Sequence, residues 1–353
     1  MRIMITGGAG FIGSHLASSF KRDLPNCTVT SLDNLKRRGS ELALGRLALG
    51  GVEFRHGDIR NPDDLAAAGS LDLLIECSAE PSVQAGLSGG DRYLIDTNLT
   101  GTINCLDHAR RHGASLIFLS TSRVYPIAAL RELPLVATGA RFVIPEEITG
   151  PGWSARGITE NFPLTGSRSL YGATKLCSEL IIAEYVAHYE LQALVNRCGV
   201  VTGPWQMGKV DQGFVVFWAA RHLFGGPLSY NGFGGAGLQV RDALHVEDLY
   251  RLVREQVAQM PAQSGKTYNV GGGAGCSVSL TELTGACVER TGRRLAIASQ
   301  PETNPVDVPY YVTDNSAVTA ATGWRPQHSV SDMLDEIFVW LCEHRQEVEA
   351  ILK

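Results

Sequence analysis

A glycine-rich turn at the start of the chain narrows the possible folds more than any other feature. The run Thr6-Gly7-Gly8-Ala9-Gly10-Phe11-Ile12-Gly13-Ser14 follows Arg2-Ile3-Met4-Ile5, an apolar stretch too short for a helix, and precedes His15-Leu16-Ala17-Ser18-Ser19-Phe20, which reads as a helix. Strand, glycine turn and helix in that order form the phosphate-binding corner of a dinucleotide fold. Gly7 and Gly10 remove side chains that would hold the backbone away from a pyrophosphate, Gly13 lets the helix pack closely on the sheet, and the helix N-terminus offers free N–H groups to the anion. A second strand, Thr28-Val29-Thr30-Ser31-Leu32, ends at Asp33. An acid about twenty residues past the last glycine is placed to accept hydrogen bonds from the adenosine ribose, and it would repel a 2′-phosphate, which favours NAD over NADP. Glycine turns alone are common. The strand, the helix and the acid around this one separate the dinucleotide reading from an ordinary turn.

Further along, Val52-Glu53-Phe54-Arg55, Leu73-Leu74-Ile75 and Leu116-Ile117-Phe118-Leu119 alternate with helical stretches such as 100–112. Such alternation predicts parallel strands joined by crossover helices, an α/β fold of the Rossmann type with a doubly wound parallel sheet. Ligands of these sheets bind at the carboxyl ends of the strands. Gly57-Asp58-Ile59, able to seat an adenine, Cys77-Ser78-Ala79-Glu80 and Ser120-Thr121-Ser122-Arg123-Val124-Tyr125 all fall there. Each taken alone also reads as a strand-end turn. Tyr268-Asn269-Val270-Gly271-Gly272-Gly273 reads as a strand and turn that return to the sheet. A dinucleotide-binding domain is therefore expected from residues 1–198 and 241–271, with a smaller, interleaved substrate domain from 199–240 and 272–353.

With 353 residues, 44% of them hydrophobic, the chain can bury one large core or two unequal lobes. A net charge of -5 gives no electrostatic reason to expect nucleic acid or an anionic membrane as a partner. The eight cysteines lack a C-x-x-C pair and read as reduced core thiols, and no metal site is expected. No apolar run is long enough to span a membrane and no signal peptide precedes the first strand, so the expected location is the cytoplasm.

Ser169-Leu170-Tyr171 opens a long helical stretch through Lys175, Leu180 and Tyr185. Residues four apart share a helix face, so Tyr171 and Lys175 can point into one site. A free phenol, with a pKa of about 10, is a poor base at neutral pH. A neighbouring ammonium and a positive nicotinamide ring both favour phenolate, bringing tyrosine into range as a general acid/base while Thr121 holds a substrate hydroxyl. The same spacing arises by chance on surface helices, so this reading leans on the N-terminal turn.

Together these motifs resemble the extended short-chain dehydrogenase/reductases that act on nucleotide sugars, over nearly the whole chain. Asp33-Asn34-Leu35-Lys36-Arg37-Arg38-Gly39, Gly57-Asp58-Ile59-Arg60-Asn61, Pro81-Ser82-Val83, Ser120 to Tyr125, Asp211-Gln212-Gly213-Phe214 and Gln239-Val240-Arg241-Asp242 are most similar to the CDP-paratose 2-epimerase (CDP-tyvelose epimerase) branch. The resemblance implies a tightly held NAD, reduced and reoxidised within one turnover while one hydroxyl-bearing sugar carbon is inverted through a transient ketone. It implies a catalytic set of Thr121, Tyr171 and Lys175, and a cofactor lining of Gly7, Gly10, Phe11, Ile12, Asp33, Asn34, Asp58, Ile59, Ala79 and Asn98. It also implies a homodimer formed through two long helices per subunit. Ser82, Gln206, Lys209 and Arg241 are the expected contacts of a nucleotide-diphosphate sugar. Arg241 suits the diphosphate because a guanidinium binds phosphate oxygens in bidentate fashion; the alternative is a structural ion pair with Asp242 or Asp248.

Departures from the family pattern bear on the substrate. Asn304 stands where these enzymes usually carry a second arginine for the diphosphate, and Glu76 and Glu80 replace a histidine and a glutamine. Glu80 reads either as a proton carrier or as a solvated acid. A long segment with Pro126, Pro134, Pro145, Pro151 and Pro163 is expected to cover the sugar, since long ordered loops often act as lids. Sugar 4,6-dehydratases carry Asp-Glu directly after the catalytic threonine, whereas this chain has Ser122-Arg123, which argues against elimination. A 4-epimerase, which shares the Thr, Tyr and Lys machinery, stays open as an alternative. A non-catalytic NAD(H)-sensing protein on this fold commonly lacks the Tyr and Lys pair.

Overall fold

The computed structural model describes residues 1–84, 89–209 and 212–353. Seven strands form the large sheet: β1 (Arg2–Thr6), β2 (Thr28–Asp33), β3 (Glu53–His56), β4 (Leu73–Glu76), β5 (Ser115–Thr121), β6 (Ala193–Cys198) and β7 (Thr267–Val270). Their order is β7-β6-β5-β4-β1-β2-β3, and every pairing is parallel. The helices that matter below are α1 (Phe11–Asp23), α2 (Ala43–Leu49), α3 (Gly101–Arg111), α4 (Leu170–Tyr189), α5 (Phe214–Phe224) and α6 (Val246–Ala258).

Strand periodicity explains how both faces are covered. Successive side chains of a strand point to opposite faces. Ile3, Ile5, Leu73, Ile75 and Ile117 pack with Leu16 and Phe20 of α1 and Leu249 of α6, whereas Met4, Leu74, Leu116 and Phe118 pack with Leu106 of α3 and Ile182 of α4. Each such fully buried aliphatic or aromatic side chain contributes about 1.5–3 kcal/mol. With both faces occupied, the strand ends are left as the open edge. β1 and β4 are neighbours although the chain leaves β1 toward β2, so the strand order reverses between them and a crevice opens there.

A second, smaller sheet centres on strand Val240–His245. It pairs in parallel with Val200–Thr202 and Tyr310–Tyr311 and antiparallel with Ser277–Ser279. Beside it, Val216 and Trp218 of α5 pack with Leu283, Leu334, Ile337 and Trp340 in a separate core. α6 follows Val240–His245 directly and returns to pack on α1, so the chain crosses between the two lobes.

Two expectations from the sequence need correction. The proline-marked segment is not a lid: Leu130, Leu133, Ile144, Ile158 and Phe162 bury themselves against Val308, Tyr310 and Val312. Apolar side chains at these positions anchor the segment in a core shared with Val240 and residues 308–312, and none of residues 126–163 lines the cleft. The cysteines are all free thiols, but Cys177 and Cys342 are exposed, because they fall on the outward faces of their helices. Among the described residues, no helix is long and apolar enough to cross a membrane.

Candidate active site

A cleft of about 1440 Å³ runs from the carboxyl ends of β1 and β4 into the second lobe. Its first half is built by the glycine turn. Gly7 has φ +63°, and a Cβ there would lie 2.8 Å from the Cys77 carbonyl carbon and the Ser78 nitrogen; a Cβ on Gly13 would lie 2.2 Å from the Gly7 oxygen. Gly10 begins α1 without a side-chain cap, so no side chain takes up the first-turn amides. Asp33 ends β2, with one carboxylate oxygen accepting from the Ala9 N–H (3.1 Å) and the other from the Leu35 N–H (2.8 Å). Burial raises its pKa, and those backbone donors oppose the rise. Asn34 Nδ2 donates to Asp58 Oδ2 (2.9 Å). Burial pushes Asp58 up, but hydrogen bonds from Arg60 and Asn34 outweigh it and bring the carboxyl to about 2. A backbone cradle that any side chain would fill, with a carboxylate at the ribose position, fits NAD.

Gly7, Gly10, Phe11, Ile12, Asp33, Asn34, Asp58, Ile59 and Ala79 all line this half of the cleft. Asn98 does not. It is fully buried: its Oδ1 accepts from the Glu80 N–H (2.8 Å) and its Nδ2 donates to the Glu80 carbonyl (3.1 Å). An amide side chain spent on a neighbouring backbone braces the loop after β4 and leaves nothing for a ligand.

At the centre, Thr121 ends β5, and Tyr171 and Lys175 lie one turn apart on α4. Ser169 caps α4, accepting from the Gly172 N–H at 3.2 Å, and this fixes where the helix starts and therefore where Tyr171 points. All three catalytic candidates line the cleft. Lys175 Nζ donates to the Leu119 carbonyl (2.9 Å) and sits 4.2 Å from the centre of the Phe118 ring. Burial lowers the Lys175 pKa, against the pull of Glu76. Burial pushes the Tyr171 phenol up to about 12, opposed by the Thr121 hydroxyl, and the cation that most favours its phenolate is Arg123. The expectation assigned that role to the Lys175 ammonium; the structure gives it to a guanidinium two residues after Thr121.

Glu76 is fully buried at the end of β4, beside Phe118 of β5 in register. Thr102 Oγ1 donates to its Oε1 (2.7 Å), while Oε2 has no partner. Burial raises this carboxyl to about 7, opposed by Lys175. Farther along α4, Glu179 binds Arg197 of β6 (Oε2 to Nη2 2.7 Å, to Nε 3.0 Å) and accepts from Ser120, with both partners of the ion pair nearly buried. This pair fixes the helix on the sheet just beyond the catalytic residues.

The second half of the cleft is assembled from distant loops. Arg241 lines it, and its partner is neither Asp242 nor Asp248: Nη2 binds Asp307 Oδ1 (2.9 Å) and Nη1 the Val240 carbonyl (2.8 Å). Arg123 approaches the same Asp307 oxygen at 3.9 Å and donates to the Val306 carbonyl (3.3 Å). Gln206 and Lys209 line the cleft, although Gln206 is tied to the Val201 carbonyl (2.8 Å) and Thr202 Oγ1 (3.0 Å). Ser82 does not line it; this nearly buried serine turns inward and accepts from the Gln84 N–H (3.3 Å). Glu80 lines the cleft and accepts from the Ser82 N–H (3.3 Å). Asn304 reaches it with Glu302 and Thr303, all on the loop after strand Ile297–Gln300. Asp211, in one of the stretches carrying the family resemblance, lies outside the described residues. Sequence reasoning missed Arg46 and Glu302. Nothing local to either residue signals that the fold brings it to the cleft.

A dinucleotide crevice with Thr, Tyr and Lys at its centre defines an NAD-dependent oxidoreductase-type site on a Rossmann sheet. The chain belongs to the NAD dependent epimerase/dehydratase family, which matches residues 3–271. Its cofactor is NAD. The CDP-paratose 2-epimerase of Salmonella typhi is 28% identical over 96% of this chain and 99% of its own length. A dTDP-glucose 4,6-dehydratase of Streptomyces griseus is 28% identical over 99% and 97%. Among solved structures, a dTDP-glucose 4,6-dehydratase of Streptomyces venezuelae with NAD bound superposes with a TM-score of 0.80 at 28% identity, covering 99% of this chain and all of that one (100%).

Proposed function

We propose that this protein is a nucleotide-sugar epimerase, similar to CDP-paratose 2-epimerase, that inverts one hydroxyl-bearing carbon through a transient ketone. NAD, held by the glycine turn and Asp33, would supply the hydride acceptor and donor for that carbon. Thr121 orients the sugar hydroxyl; Tyr171 takes its proton as the ketone forms and gives it back as the alcohol is restored. Arg123 supplies positive charge that opposes the burial of the Tyr171 phenol, and Lys175, anchored on the Leu119 carbonyl, stands one turn along the same helix face. Arg241, with Gln206 and Lys209, holds the diphosphate end, in competition with Asp307.

The observation that carries epimerisation over dehydration is Arg123. Elimination of water needs an acid and a base beside the threonine, and Ser122-Arg123 supplies a hydroxyl and a cation that cannot accept a proton. Incubation with CDP-, UDP-, GDP- and ADP-sugars in deuterated water, followed by NMR, tests this. Inversion without solvent deuterium supports direct hydride return. A 4-keto-6-deoxy product, or deuterium at the inverted carbon, would overturn it. Inversion at C4 of a UDP-sugar would select the 4-epimerase alternative, which uses the same residues. We also propose the division into residues 1–198 with 241–271 and 199–240 with 272–353, a homodimer through two long helices per subunit, and a cytoplasmic location.

A further inference from the structure

We propose that Arg46 of α2 is a binding residue for the cofactor's pyrophosphate. It lines the cleft next to the glycine turn, where Nη2 donates to Ser14 Oγ of α1 at 2.6 Å and the guanidinium lies 4.9 Å from the centre of the Trp205 ring. Its Nε is buried and has no hydrogen-bond partner. Among the described residues no carboxylate pairs with it. Burial alone lowers its pKa, to about 10, and no neighbouring charge opposes that shift.

Arg241 and Arg123, which also line the cleft, differ in sharing a counter-ion, Asp307. A cation taken largely out of water without a counter-ion is costly unless a ligand provides the charge. The uncapped first turn of α1, which Ser14 closes, is the place on this cleft built for an anion. The aromatic face of Trp205 steadies the cation from the second lobe, and Trp205 itself holds a left-handed backbone, φ 71°. Loop 203–209 therefore positions the guanidinium as well as lining the sugar half.

This inference rests on the cofactor reading, and the experiment separates the two. NAD retained by purified enzyme after gel filtration is measured on release, and the affinities of stripped protein for NAD and for ADP-ribose, which keeps the pyrophosphate and lacks only the nicotinamide, are measured by calorimetry. Arg46→Gln is expected to weaken both ligands by the same factor, about tenfold or more, and to flatten the salt dependence of binding; Arg46→Lys should restore part of it. Ser14→Ala, which keeps the guanidinium but removes its anchor, should weaken both by a smaller factor and covers the case in which Arg46→Gln folds poorly. Unchanged affinities in Arg46→Gln and Ser14→Ala, or a loss confined to the nucleotide sugar, would overturn the assignment. Wild-type protein that binds neither ligand would overturn the cofactor reading with it.

Discussion

The two halves of the cleft are built by different means. The coenzyme half comes from consecutive strand ends, where missing side chains, backbone amides and one carboxylate make a preformed cradle. The sugar half comes from loops far apart in sequence, and its arginines are already engaged with Asp307. The first half accepts its ligand with little rearrangement. In the second, on the proposed assignment of Arg241 to the diphosphate, the ligand displaces the Asp307 carboxylate, so affinity there becomes a difference between two ion pairs.

Substitutions can break or sharpen this contrast. The largest effect is expected between the halves: Tyr171→Phe should lose roughly a thousandfold in kcat while keeping its NAD, measured as turnover against released cofactor. On the coenzyme side, Asp33→Ala should raise the dissociation constant for NAD about tenfold or more, since a charged acceptor for the ribose is lost; equal retention by wild type and variant would contradict the ribose assignment. On the sugar side, Arg241→Ala should raise KM about tenfold with NAD occupancy unchanged, and a drop in occupancy would blur the division between halves. Glu76→Gln tests the buried end of β4 through stability. A carboxyl whose folded pKa is raised to about 7 binds its proton more tightly when folded, so its contribution is present below the ordinary value of 4.5 and lost as pH rises through 7. Melting temperatures of wild type should therefore fall relative to Glu76→Gln between pH 5 and pH 8; parallel curves would place the carboxyl in contact with water. The smallest effect is expected for Glu80→Gln, within about twofold in kcat/KM, if that residue is a spectator.

Much of the fold and the coenzyme half was legible because their signals are local. Glycine spacing, strand alternation and the i,i+4 relation of Tyr171 and Lys175 are set by the backbone period, and the structure places these residues as the spacing predicts. Asn98 and Ser82 were misplaced because the sequence does not reveal which way a polar side chain turns, and both bond to nearby backbone. The proline-rich segment was misread because its apolar residues find partners near residue 310, a long-range pairing with no local trace. Arg46 and Asp307 matter through contacts with residues far along the chain, and neither belongs to a motif.

The Glu179–Arg197 pair touches neither coenzyme nor sugar, yet it governs alignment. It lies one helical turn beyond Lys175, so any slip of α4 along the sheet is resisted at that point and transmitted to the phenol and the ammonium together. In the proposed cycle a proton leaves a sugar oxygen and returns to it, and both transfers need the phenol held in one position. Here a buried salt link two strands from the coenzyme serves as the datum from which the chemistry is measured.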